Sequence, residues 1–97
     1  MAITSIVTLS VRPEHAASAA TAIEESLVLT RGFAGNLGVD VLADPTDDTR
    51  WVLVERWESD EADTAYRAYR RDNNIPSALG PLLAGAPEVT KYDLISS

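Results

Sequence analysis

Apolar and polar positions alternate almost from the first residue. Ile3, Ser5, Val7, Leu9 and Val11 fall on one side of an extended chain and Thr4, Ile6, Thr8 and Ser10 on the other. With its β-branched content, this predicts a strand over 3–11. The period then changes. Arg12-Pro13-Glu14 stops the strand and opens a helix, since proline fits a first turn and an early glutamate complements the helix dipole. Ala16, Ala19, Ala20, Ile23 and Leu27 recur at helical spacing to about Thr30, and Gly32 ends the run. The inward stripe is mostly alanine, so the helix either lies close on its sheet or leaves space beside it.

A second strand is expected over 36–43, with Leu37, Val39 and Val41 alternating against Gly38, Asp40 and Leu42. Residues 44–49 are turn-forming throughout and lead to a third strand over 50–58. Ser59 can cap a second helix whose first turn holds Asp60, Glu61 and Asp63 and whose inward stripe reads Ala62, Ala65, Tyr66 and Tyr69. Arg67, Arg70 and Arg71 suit its C-terminal end, where Asn73-Asn74 stops it; the three could bind an anion, but a solvated helix end that complements the dipole is the expectation. Residues 76–84 read as a short helical or irregular piece, and 89–95 as the last strand.

The order β-α-β-β-α-β predicts an α+β class, ferredoxin-like domain over 1–97, with an antiparallel sheet and both helices on one face. The other face should then be polar at alternate residues, yet Val52, Val54 and Ile6 all point to it. A second copy of the chain is the simplest cover, so a homodimer through the helix-free sheet face is expected.

Composition narrows the partners. The charge is −7, and nine acids against two arginines between Asp40 and Asp63 account for all of it. Phosphate-bearing partners need a basic face, so neither nucleic acid nor an anionic membrane is expected. There is no cysteine and one histidine, His15, which excludes thiolate metal sites, disulfides and cysteine nucleophiles. No metal or cofactor motif is present. The start lacks a basic n-region, and no stretch approaches a membrane span, so a cytoplasmic protein is expected.

The chemistry left to consider is aromatic. Trp51 reads as core. Trp57 closes a strand just before a loop and helix, where a cavity between sheet and helices would open, and Tyr66 and Tyr69 could line it. Glu55 shares the parity of Leu53 and Trp57 and so points inward. Such a carboxylate either pairs with an arginine or tyrosine or has a raised pKa.

The stretch Gly35-Asn36-Leu37-Gly38-Val39-Asp40-Val41, then Asp44-Pro45, then Trp51-Val52-Leu53-Val54-Glu55-Arg56-Trp57-Glu58-Ser59 with Glu61-Ala62, resembles the antibiotic biosynthesis monooxygenase family. Pro81-Leu82-Leu83-Ala84-Gly85 before the last strand is similar to that family's usual ending. The resemblance implies a dimeric α/β-barrel. It also implies oxygen chemistry without metal or flavin, in which a bound phenol or quinol is deprotonated, reduces O2 and becomes a quinone. Trp57 matches the pocket tryptophan of such members. Leu53 stands where antibiotic-forming members tend to have asparagine, and Asp63 where they tend to have tyrosine. The haem-degrading branch needs a histidine on the second helix and an asparagine on the first strand; this chain offers Tyr66 or Arg67, and Thr4 or Thr8. The expected site is therefore Trp57 and Glu55 as catalytic residues, with Tyr66, Tyr69, Leu53, Asp63 and Arg56 around a small aromatic substrate. The competing expectation is a ligand-binding or dimerisation module that keeps the fold without the chemistry.

Overall fold

The first strand, β1 (Ile3–Ser10), ends one residue earlier than its alternation predicts, because Val11 leaves the ladder for a single bridge to Leu83. In the computed structural model, which describes residues 2–73 and 79–96, a 3₁₀ turn over Pro13–Ser18 then precedes α1 (Ala19–Gly32). Ala19, Ile23 and Leu27 of the expected stripe keep their phase on α1. Ala19, Ile23, Leu27 and Thr30 face inward, whereas Ala20, expected inside, is exposed.

β2 (Asn36–Asp44) and β3 (Asp47–Trp57) form a hairpin joined by Pro45-Thr46. Side-chain acceptors tie its ends: Asp44 Oδ1 takes the Thr46 N–H and Asp47 Oδ1 the Thr49 N–H, each at 2.9–3.0 Å. These bonds let β3 begin three residues before the sequence expectation. A register shift between Asn36 and Gly38 breaks the alternation of β2. Val39 is buried, but Leu37, expected on the same side of the strand, is 58% exposed. Gly38 has φ +138°, a backbone conformation that L side chains rarely adopt, which favours glycine there.

α2 (Asp60–Asp72) starts where predicted, with Ser59 Oγ accepting the Ala62 N–H at 3.1 Å. Its inward stripe differs: Asp63 and Tyr66 are buried, while Ala65 and Tyr69 are exposed. The reason lies opposite, where the sheet presents Ser5 and Glu55, both buried. Polar groups there need polar partners, so α2 turns its Asp63–Tyr66–Arg67–Arg70 row toward them. Asn73 Nδ2 donates to the Tyr69 carbonyl at 2.9 Å and closes the helix. Asn74 and part of the expected 76–84 segment lie outside the described residues; a 3₁₀ turn covers Gly80–Leu82. β4 (Glu88–Asp93) is shorter than the expected 89–95.

The sheet order is β2-β3-β1-β4, antiparallel throughout, with both helices on one face, as the ferredoxin-like expectation required. Register sorts the inner face into rows. Val41, Leu53, Val7 and Val89 align as an apolar row; the next row is Val39, Glu55, Ser5 and Lys91. Two buried clusters follow from this. Val7, Leu9, Ile23, Leu27, Val39, Leu53 and Leu79 fill one end, and Ile3, Trp57 and Tyr66 with Phe33 fill the other. Between them lies the polar row.

Candidate active site

A cavity of about 290 Å³ opens between the sheet and the helices. β1 supplies Val7 and Leu9, β3 Leu53 and Glu55, α1 Ser26, Leu27 and Thr30, and α2 Tyr66, Arg67 and Arg70; Leu79, Pro87 and Val89 complete it. Its floor is the apolar sheet row and its polar groups gather toward α2. The volume is at the lower edge of small-molecule sites, roughly 300–1,000 Å³, and the mix of apolar wall and convergent polar groups is typical of them.

Glu55 is 3% exposed. Its Oε1 accepts from Arg67 Nη2 at 3.0 Å and from Trp57 Nε1 at 3.4 Å. Burial pushes its pKa up; the Arg67 charge and the indole N–H oppose that only in part, and the Asp63 charge adds to it. Both sequence alternatives for this residue hold at once: it is ion-paired and its pKa is raised.

Asp63 is fully buried and does not line the cavity. Its Oδ2 accepts from Ser5 Oγ at 3.1 Å and Lys91 Nζ at 3.0 Å, and Arg67 Nε stands 3.1 Å from Oδ1, an ion pair without hydrogen-bond alignment. It therefore holds Arg67 from behind and anchors β4 to α2. Lys91 also reaches Asp60 at 3.0 Å, and these carboxylates raise its pKa.

Tyr66 stands between two partners. Its hydroxyl is 2.5 Å from Thr30 Oγ1 and accepts from Arg70 Nη1 at 2.8 Å. Its ring is tilted against Trp57 with centroids 5.2 Å apart and edge-on to Phe33 at 5.3 Å. The Arg67 and Arg70 guanidinium carbons lie 5.5 and 5.8 Å from its centroid, within cation–π range.

Of the residues singled out from sequence, Glu55, Leu53 and Tyr66 meet on the cavity wall. Trp57 is fully buried just behind Glu55, off the wall. Tyr69 does not line the cavity; it is 42% exposed and packs on Phe33 at 5.5 Å. Arg56 lies on the opposite face of the sheet, where its Nη1 meets Asp40 at 2.7 Å, because its parity on β3 is opposite to that of Glu55. Sequence reasoning missed Thr30 and Lys91, and took Arg67 and Arg70 for a solvated helix end. The 63–66–67–70 spacing, a second helical face of polar and aromatic residues, was the signal available for the two arginines.

Fold and site together define an α+β, ferredoxin-like domain with a single-carboxylate, arginine-rimmed apolar cavity under its helices. The chain belongs to the antibiotic biosynthesis monooxygenase family, which matches residues 2–71. No curated protein matches the chain. Among solved structures it is similar to SnoaB, a cofactor-independent oxygenase from Streptomyces nogalater, at 14% identity and TM-score 0.82, covering 99% of this chain and 95% of that one. Rv0793 from Mycobacterium tuberculosis is 21% identical with TM-score 0.80, covering 100% and 98%. PA3566 from Pseudomonas aeruginosa is 21% identical with TM-score 0.74, covering 94% and 91%. At such identities the likeness is one of fold. No helix among the described residues is long and apolar enough to cross a membrane.

Proposed function

We propose that this chain is a cofactor-independent monooxygenase-type enzyme that acts on an aromatic, quinol or polyketide-like small molecule. The observation that carries the reading is Glu55, a desolvated carboxylate with a raised pKa that faces an apolar cavity. A base poised closer to neutrality than an ordinary glutamate suits proton abstraction from a weakly acidic phenol or an activated ring carbon. Ionised Glu55 takes that proton, and the substrate anion it leaves gives its electrons to O2. For an anthrone-like methylene, one oxygen atom enters the new carbonyl and the other leaves as water with the two hydrogens the carbon loses. The apolar walls keep water from the intermediate.

The working unit in this reading is a homodimer. Ile6, Val52 and Val54 stand half-buried on the helix-free face, with Leu42 50% and Tyr92 56% exposed beside them. A hollow of about 240 Å³ lined by Leu42, Pro45, Arg50 and Val52 extends the same face. A second chain laid sheet to sheet would cover this surface.

Leu53 favours a second reading, because it puts an apolar side chain on the wall where antibiotic-forming members tend to have asparagine. On that reading the cavity binds a ligand and does no chemistry. Oxygen uptake with 1-naphthol or anthrone separates the two. The enzyme reading expects uptake that falls at least tenfold in Glu55→Gln, in line with the usual worth of a positioned base. Ligand binding with no uptake by the native chain would overturn it.

A further inference from the structure

The two guanidinium groups on the cavity wall are not alike. Arg67 is committed on both sides, to Glu55 and to Asp63. Arg70 makes no ion pair among the described residues, and its one described hydrogen bond goes to the Tyr66 hydroxyl oxygen. A guanidinium has five N–H donors, so most of those on Arg70 find no partner among the described residues, at the edge of a concave apolar site. Asp63 and Lys91 lie off the wall; Asp63 is shared between Arg67 and Lys91, and Lys91 between Asp63 and Asp60. The wall itself then holds one carboxylate against two guanidiniums. With Asp60 and Asp63 set against Lys91 behind the wall, the group of charges balances when Glu55 is ionised, and within it Arg70 is the cation with no acid partner among the described residues. Tyr66 fixes the position of Arg70, since its hydroxyl, itself paired with Thr30 Oγ1, accepts from Arg70 Nη1.

We propose that Arg70 anchors an oxygen anion carried by an otherwise apolar, aromatic ligand, so that the cavity selects monoanions over their neutral isosteres. The inference deepens the functional reading above and rests on it only in taking this cavity as the ligand site. The anion would sit against the other Arg70 donors, with the aromatic body over Val7, Leu53 and Val89. A carboxylate and a phenolate share this chemistry. A charge-assisted hydrogen bond in a partly desolvated site is among the stronger polar contacts, and its loss reads as about tenfold or more in affinity.

Isothermal titration of the full chain with 2-naphthoate, with a dinitronaphthol that is ionised at neutral pH, and with neutral 2-naphthylmethanol tests this. At least one anion should bind about tenfold or more tighter than the alcohol. Preference for the naphthoate alone assigns a carboxylate, and preference for the ionised naphthol alone assigns a phenolate. Arg70→Gln should erase the gap while leaving the alcohol's affinity in place, which also reports that the cavity is intact; Arg70→Lys should keep part of it. Equal binding of all three probes, no binding of any, or a gap that survives in Arg70→Gln overturns the proposal. Should Arg70→Gln lose the alcohol as well, a gap absent from Arg70→Lys overturns it. Oxygen uptake run alongside separates the two claims. Anion selectivity without uptake overturns the oxygenase reading alone, and uptake on neutral anthrone without anion selectivity overturns this one alone.

Discussion

Glu55 and Trp57 are two positions apart on one strand, so their side chains leave the same face and the indole N–H can reach the carboxylate. That proximity sets the choice of test at Trp57. The ring is fully buried among Ile3, Phe33 and Tyr66, and alanine there would cost about 3–5 kcal/mol in lost packing, confounding any loss of turnover. Phenylalanine keeps most of the ring and removes only the donor. Trp57→Phe should therefore move the Glu55 pKa further up, because the ionised form loses a hydrogen bond. Its sign in activity follows: a base works when ionised, so turnover rises with pH through the folded-state pKa, which lies above the ordinary carboxylate value. The acid limb of the pH–rate profile should shift to higher pH in Trp57→Phe; an unmoved limb would detach the indole from Glu55. The stability linkage has the opposite sense. The native state holds the Glu55 proton more tightly than the unfolded chain does, so this residue's contribution to folding falls as pH rises through that same window.

At the scale of elements, α2 positions most of the site. Asp63, Tyr66, Arg67 and Arg70 share one of its faces, and Asp63 fastens that face to β1 through Ser5 and to β4 through Lys91. The start of the helix is fixed by Ser59, whose hydroxyl accepts the Ala62 N–H while Asp60, Glu61 and Asp63 meet the positive end of the dipole. Ser59→Ala should lower stability by about 1 kcal/mol, read as a shift in the urea midpoint with an unchanged slope. A larger loss, with a changed slope, would mean that α2 and β4 come away together. Arg56 and Tyr69 were misplaced by sequence for different reasons. Strand parity alone sends Arg56 outward. Tyr69 sits at helical spacing from Tyr66, but the helix is rotated toward its polar row by the buried Ser5 and Glu55.

The whole molecule has two unlike sheet faces, one under the helices and one bearing Ile6, Val52 and Val54. If a second chain covers that face, Val54→Asp should shift sedimentation from dimer to monomer, since a charge at the centre of an apolar interface has no partner there. Unchanged sedimentation, or a monomeric native chain, would remove the sheet-to-sheet assembly. The acidic segment acquires distinct roles at this scale. Asp44 and Asp47 are turn acceptors whose pKa values are lowered by their bonds to Thr46 and Thr49. Asp40 pairs with Arg56, and Asp60 with Lys91. Of the acids in that segment, Glu55 alone lines the cavity.

Periodicity and turn chemistry by themselves determined the βαββαβ order, the inward parity of Leu53, Glu55 and Trp57, and the cap at Ser59. These are local properties, carried by residues a few positions apart. The acids and bases of the site are not local. Glu55 meets Arg67 because α2 packs over β3, and Asp63 meets Lys91 because β4 pairs with β1 in a register that aligns Ser5 with both Glu55 and Lys91. Register between strands and the rotation of a helix over its sheet are settled by the summed packing of the core and by the need of buried polar groups for partners. Only the tertiary structure could therefore separate the arginine that locks Glu55 from the arginine that has no acid partner among the described residues.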